Sequence, residues 1–372
     1  MSAFADHLAE AARRREAAGL TRVLSCDHPH GLIDLAGNDY LSLRHDPAVL
    51  ESANRALQAY GAGAGGSRLV TGTWPVHDEL EAELATLTNM PAALVFSTGY
   101  HVNLSVITAL ADTDTLVVSD AHNHASLIDA ARLARGRVAV VPHLDTAAVE
   151  QALRERTEPR ALVVVESVFS VLGDAADLVA LHALAERYDA MLVVDEAHGI
   201  GVVGGRGEGL AAATGLTPSE RLVITTSLSK SLATQGGAAM CTPLVREHLV
   251  NTARPFIFDT GLAPAAAGAA LGALRRFVAD PAMVARVRDA AGRIADALGV
   301  QRPAGAVLSA PMPGPKQALA AVARAAGAGV RIGCFRPPST PDGVSRLRLT
   351  AHAGLSEADL EHATAVLRTL RA

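Results

Sequence analysis

Only two of the 33 basic residues are lysine, Lys230 and Lys316, so chemistry that needs a side-chain amine has two candidates. Lys230 closes the run TTSLSK (Thr225 to Lys230), which continues the apolar segment RLVITT. An amine just past a buried strand and among hydroxyls loses hydration, and its pKa falls toward the range in which it attacks carbonyls. The plain alternative is a solvated loop charge. Lys316, in the Pro/Gly-rich MPGPKQ, reads as exposed. DEAH (Asp195 to His198) stands at the carboxyl end of AMLVVD, where open α/β sheets bind ligands. Asp195 there either holds a positive charge or caps a helix. His198, three residues on, can donate to the same ligand.

STGY (Ser97 to Tyr100) falls where a strand ends and a helix begins. Free N–H groups and the helix dipole suit such a turn to a phosphate. Gly99 permits close approach, Thr98 adds a hydroxyl, and Tyr100 reads as either a ligand contact or core packing. In DAHNHAS, His122 and His124 with Asp120 have only loose metal-ligand spacing, and no H-E-x-x-H or cysteine cluster supports it. His124, at a helix start, reads alternatively as an aromatic plate facing a ligand. Ser170 of SVFSVLG falls near another strand end. Together these residues fit a phosphorylated aldehyde: a lysine for the Schiff base, a carboxylate for a pyridinium nitrogen and a helix end for the phosphate.

The elements that must position them alternate along the chain. AALVFS, TLVVSD, RVAVVP, ALVVVES, AMLVVD and RLVITT, between Ala92 and Thr226, are short, valine-rich and apolar on both faces. They read as strands of a covered, largely parallel sheet. Helical stretches such as Ala125 to Ala134, Thr146 to Glu155 and Leu178 to Tyr188 separate them, which predicts a doubly wound α/β domain. After about residue 260 two Ala-rich helices precede a strand near Val307, a helix from Gln317, a strand over Ser345 to Thr350 and a last helix from Ser356. The division predicted is an N-terminal arm over 1–45, a large α/β domain over 46–260 and a smaller α+β domain over 261–372.

Composition narrows the classes further. The chain has 372 residues, 49% hydrophobic and 19% charged, with a formal net charge of −5. It offers no basic footprint for nucleic acid or an anionic membrane. No apolar run reaches the length of a membrane span, and the charged, amphipathic N-terminus does not read as a signal peptide. Cys26, Cys241 and Cys334 are scattered, which argues against a disulfide scaffold and predicts a cytoplasmic protein. GAGAGG (Gly61 to Gly66) matches a dinucleotide fingerprint, but a helix rather than a strand precedes it, so a nicotinamide-dependent dehydrogenase is disfavoured. It reads better as a turn that lets backbone approach a ligand or another chain. No G-x-S-x-G elbow and no phosphate-loop lysine motif occur. A non-catalytic ligand sensor is the remaining alternative, and the intact Lys230, Asp195 and Arg348 weaken it.

The motifs, in order, resemble a known family. NDYLSL (Asn38 to Leu43), GAGAGGSRLVTG, STGY, HASL, DEAHG, TTSLSK, FRPPSTPDG (Phe335 to Gly343) and RLRLT (Arg346 to Thr350) are similar to those of the α-oxoamine synthases. The resemblance spans nearly the whole chain. It implies the aspartate-aminotransferase-like fold, pyridoxal 5′-phosphate as cofactor, and a homodimer with sites near the subunit interface. The activity it implies is decarboxylative condensation of L-alanine with a pimeloyl thioester, on CoA or a carrier protein, toward biotin. A relative using glycine and another acyl-CoA is the alternative.

The same resemblance assigns roles. Lys230 would carry the cofactor and serve as base, Asp195 would pair with its ring nitrogen, His198 with its ring oxygen, and His124 would stack on the ring and meet substrate. Thr98, Gly99, Tyr100, Ser170 and Ser227 would line the cofactor, and Asn38 and Arg348 would hold the substrate carboxylate. Four positions depart from the family pattern. Ser227 replaces a threonine, Ser339-Thr340 replaces Thr-Val, and Thr21 stands where an arginine is expected, with Arg22 beside it. The acyl substrate would therefore meet Arg22 and either Ser339 or its neighbour.

Overall fold

The computed structural model describes residues 2–22, 24, 31–340 and 342–370; Cys26 and the His/Pro loop at 28–30 lie outside the described residues. In chain order the strands are β1 (Ile33–Leu35), β2 (Ala92–Phe96), β3 (Thr115–Asp120), β4 (Arg137–Val141), β5 (Arg160–Glu166), β6 (Met191–Asp195), β7 (Leu222–Ser227), β8 (Gly237–Cys241), β9 (Val307–Pro311), β10 (Val330–Phe335) and β11 (Arg346–Thr350). Seven of them form a sheet in the order β2-β8-β7-β6-β5-β3-β4. β7, β6, β5, β3 and β4 run parallel, and β8 is antiparallel to both β7 and β2. β2 therefore points the same way as the parallel set, and six carboxyl strand ends open at one edge.

Successive residues of these strands enter opposite cores because side chains alternate across a pleated sheet. Val163, Val165, Leu192, Val194 and Ile224 pack on one face, while Leu162, Val164, Val193 and Val223 pack on the other. Burying each such side chain contributes about 1.5–3 kcal/mol, so the central strands form a rigid base for whatever follows them. RVAVVP departs from the expected burial. As β4 it is the edge strand with a single neighbour, and Arg137, Val138 and Val140 are exposed.

Two strands lie outside the sequence expectation. β8 is GAAMC, small residues with weak strand preference, and pairing on both sides imposes its conformation. A Cβ on Gly237 would lie 2.4 Å from the Thr98 carbonyl, so only glycine lets that strand pass the site. β10 buries Val330 and Ile332 in alternation, a pattern visible in the sequence.

A second sheet has the order β1-β10-β11-β9. Packing therefore crosses the boundaries expected at 45/46 and 260/261. β1, in the arm, pairs in parallel with β10. The helix Pro264–Ala279 lies against Pro47–Tyr60, so closely that a Cβ on Gly268 would stand 2.7 Å from the Ser52 carbonyl. These crossings carry Asn38 and Tyr40 to the open edge of the large sheet. Among the described residues no helix is long and apolar enough to cross a membrane.

Candidate active site

The strand ends meet in a cavity of about 280 Å3 lined by Thr98, Gly99, Asp195, His198, Ser227 and Lys230, with Asn103, His124 and Glu166 also in its wall. At one pole Thr98 caps the helix Gly99–Leu110, its hydroxyl accepting the His101 N–H at 3.0 Å. That leaves the first-turn N–H groups of the helix facing the cavity end, a ready anion site. A Cβ on Gly99 would lie 2.8 Å from the Ser227 side chain, so the glycine brings this turn against the Ser227 and Ser229 hydroxyls, themselves 2.7 Å apart. Tyr100 is exposed rather than in the core, and its hydroxyl donates to Asp129.

At the other pole Asp195, the last residue of β6, is buried. Its Oδ1 accepts the Ala197 N–H at 2.9 Å and its Oδ2 accepts the Asn103 amide at 2.8 Å. Asn103 is held in turn by the Thr225 hydroxyl at 2.6 Å, so the carboxylate is fixed in direction. Burial, reinforced by Arg348, lowers the Lys230 pKa against the opposing pull of Asp195 and Glu166. Glu166, paired in register with Asp195, is pushed up to about 8 by burial and by that neighbouring carboxylate. His198 is buried, and burial together with Lys230 and Arg348 keeps it well below the ordinary histidine range. His124 caps the helix Ala125–Leu133, its Nδ1 2.8 Å from the Ser126 hydroxyl, and burial lowers its pKa as well.

A second cavity of about 420 Å3 adjoins the first at His124, His198 and Lys230, and adds Asn38, Ser170, Ser339 and Arg348. Arg348 is buried in β11 and lies over the Phe335 ring. Its Nε donates to the Ser170 carbonyl at 2.7 Å and its Nη1 to Asn38 Oδ1 at 3.3 Å. It pairs with no carboxylate among the described residues, and a buried guanidinium in that state is a binding site for an anion. Ser339 lines this cavity, whereas Thr340 is buried with its hydroxyl unpartnered, so of the two it is Ser339 that faces the cavity. A third cavity, about 170 Å3, continues outward between Arg22, Phe335, Arg336 and Ser339, with the Arg22 Nη2 donating to the Ser339 hydroxyl at 2.9 Å.

The residues to which the resemblance assigns a role, from Thr98 and Lys230 to Arg348, Ser339 and Arg22, line one run of adjoining cavities, and Lys316 is exposed elsewhere. The donor set fits pyridoxal 5′-phosphate: a helix end and hydroxyls at one pole, a fixed buried carboxylate at the other, and an amine of lowered pKa between them. The glycine cradle at Gly99, which a Cβ would fill, argues the same way. His122 does not join a metal set; it stacks on His143 at 4.1 Å, and no group of three metal-type ligands converges among the described residues. GAGAGG follows the helix Pro47–Tyr60 and does not line the first cavity; its Gly66 carbonyl accepts the Gly261 N–H.

Asn103, Ser126, Glu166 and Tyr40 were not singled out by the sequence. Glu166 shares with Asp195 the signal of an acid at a strand end. Asn103 is one turn beyond Gly99 on the buried side of the same helix. Tyr40 lies inside NDYLSL, fully buried, with its hydroxyl 2.7 Å from His198 Nδ1 and 3.1 Å from Asn38 Oδ1. Its chemical partner is invisible until the chain folds, since His198 is 158 residues away.

Comparison with known proteins agrees with this geometry. The model of the family described as aminotransferase class I and II matches residues 30–367. An 8-amino-7-oxononanoate synthase of Mycolicibacterium vanbaalenii is 51% identical over 362 residues, covering 97% of this chain and 95% of that protein. Serine palmitoyltransferase of Sphingomonas wittichii superposes with a TM-score of 0.91 at 27% identity, covering 99% of this chain and 97% of that one. A high-resolution structure of SPT with PLP as internal aldimine superposes with a TM-score of 0.90 at 27% identity, covering 98% and 96%. On these matches, and with a lysine, a strand-end aspartate and a helix N-terminus arranged around one cavity, the chain belongs to the aminotransferase class I and II family, within its pyridoxal-phosphate-dependent α-oxoamine synthases.

Proposed function

We propose that the chain condenses L-alanine with a pimeloyl thioester, releasing CO2, the thiol carrier and 8-amino-7-oxononanoate on the route to biotin. The observation that carries the reading is the Lys230 amine, held at lowered pKa where the first two cavities meet, in a chain half identical to a synthase of that product. Bound pyridoxal 5′-phosphate supplies the electron sink for negative charge at the amino acid's α-carbon. The residues supply the rest.

Lys230 would hold the cofactor at rest, and burial, which lowers its pKa, favours the neutral amine that a base at the α-carbon needs. Asp195, held by Asn103 and the Ala197 N–H, keeps a fixed negative charge toward the cofactor's ring nitrogen. His198 would meet the cofactor's ring oxygen and His124 would lie against its ring, both lining the same cavity. Thr98, Gly99, Tyr100, Ser170 and Ser227 complete the cofactor's surroundings. Arg348 and Asn38 orient the amino acid through its carboxylate, which places the α-carbon near Lys230. The acyl chain extends outward past Ser339 toward Arg22, where a guanidinium suits its terminal carboxylate. His124 also borders the substrate cavity, beside the reacting carbons.

We read the active form as a homodimer in the cytoplasm. Exposed Phe4, Leu8, Leu69, Val70 and Phe258 support a partner surface, and the helix Ala3–Ala17 buries none of its residues within this chain. Free Cys241 and Cys334 suit a reducing compartment. The test uses purified protein with pyridoxal 5′-phosphate, L-alanine and pimeloyl-CoA, wild type beside Lys230→Ala. The expected result is a visible cofactor band and the amino-oxo acid by mass spectrometry, with turnover in the variant down by about 10^4-fold or more. Failure to take up the cofactor, or condensation only with glycine and another acyl-CoA, overturns the reading.

A further inference from the structure

We infer that Tyr40 is a positioning residue whose hydroxyl donates to His198 Nδ1, which forces the imidazole proton onto Nε2 and presents His198 to the cavity as a hydrogen-bond donor. Three observations carry this. Tyr40 is fully buried, so its hydroxyl has no water to turn to. It contacts two groups, His198 Nδ1 at 2.7 Å and Asn38 Oδ1 at 3.1 Å, and its single proton serves one of them. Asn38 Oδ1 already accepts from Arg348, a group that can only donate, which also fixes that amide's orientation. The shorter contact lies on the imidazole, and Asn38 Oδ1 keeps its Arg348 donor when the tyrosine proton turns there.

His198 is neutral, since burial and the nearby Lys230 and Arg348 charges oppose its protonation. A neutral imidazole has one N–H, and the partner of one nitrogen decides the state of the other. With Nδ1 occupied by the tyrosine, Nε2–H points where the cavity lies, and His198 lines both the first and the second cavity. The opposite tautomer would put a bare acceptor against the cofactor's ring oxygen, itself an acceptor. The same hydroxyl touches Asn38, so Arg348, Asn38, Tyr40 and His198 form one connected line from the substrate-carboxylate end to the cofactor end.

The inference rests on the proposed function, because only a cofactor whose oxygen faces His198 gives the tautomer a purpose. The test labels the histidines of the full-length protein with 15N and assigns His198 by comparison with His198→Gln. In wild type, without cofactor and with pyridoxal 5′-phosphate added, the 15N shifts are expected to show Nε2 protonated and Nδ1 bare. In Tyr40→Phe the Nδ1-protonated form should appear, the cofactor should bind about fivefold more weakly, and the pH midpoint of its visible band should move. Protonated Nδ1 in wild type overturns the inference, even where Tyr40→Phe fails to fold. An unchanged tautomer in a folded Tyr40→Phe overturns it as well. Failure of wild type to take up the cofactor would sink the proposed function instead, and is read separately from the tautomer.

Discussion

The wall that carries Asp195, His198 and Lys230 grows from adjacent strand ends of one sheet, whereas the wall that carries Asn38 and Arg348 joins residues 310 apart in sequence. In the first, each side chain is aimed by a buried strand with neighbours on both sides. In the second, β1 and its loop reach the site because three residues pair with β10. The first wall is charge-rich and tightly crosslinked; Asp195 alone has two donors fixed to it. The second ends in an outer cavity whose members Arg22 and Ser339 are exposed. Rigidity thus falls from the place where bonds are proposed to change toward the place where an acyl chain enters.

Arg348→Ala should give the largest effect on the second wall. It removes a buried donor from the Ser170 carbonyl and Asn38 together, and kcat/KM for L-alanine should fall about 100-fold or more. Arg348→Lys should recover little, because an ammonium cannot reproduce the planar fork. A loss below about fivefold would mean that the two walls do not share the substrate as described. Alanine saturation kinetics on cofactor-loaded protein reads this directly.

The crosslinks of the first wall can be loosened through His143, which sits 2.9 Å from Asp120 and 3.0 Å from Asp174 and so ties the loop before His124 to the loop after Ser170. Burial alone would lower its pKa, but the two carboxylates raise it to about 9 from 6.5. A folded-state pKa above the unfolded value stabilises the fold fully below 6.5, and this stabilisation is lost as pH rises through about 9. His143→Gln should therefore cost at most about 3 kcal/mol at the acid end and nothing at the alkaline end. Melting temperature against pH for both proteins checks it; parallel curves would sink the assignment.

Smaller effects belong to the outer cavity. Ser339→Ala and Arg22→Ala should each raise KM for the acyl donor about threefold, and the double variant should add little, as contacting residues do. Strict additivity would separate the two residues. Lys316→Ala should leave activity and stability within about 0.5 kcal/mol of wild type, which contrasts the chain's second lysine with Lys230 in the same assays.

Much of the first wall was legible because strand ends announce themselves. A valine-rich run that stops at Asp195, or passes into hydroxyls before Lys230, marks both the element and the rim of the sheet. Glu166, the last residue of β5, carries the same signal. β8 was not legible: GAAMC has no residue that prefers a strand, and its conformation comes from β2 and β7 on either side. The Tyr40–His198 contact was not legible either, since nothing local in NDYLSL states what a tyrosine hydroxyl will meet.

By itself the sequence determined the chemistry on offer and the α/β layering, because composition, strand-end position and the 2- and 3.6-residue periods are local properties of the chain. Only the tertiary structure decided which residues face one another. Sheet order set Glu166 beside Asp195, close packing at Gly99 set the helix end against Ser227, and the pairing of β1 with β10 carried Asn38 and Tyr40 to Arg348 and His198. Those juxtapositions are made by long-range pairing and burial, and burial with its charged neighbours is also what shifts the pKa values of Lys230, His198 and Glu166.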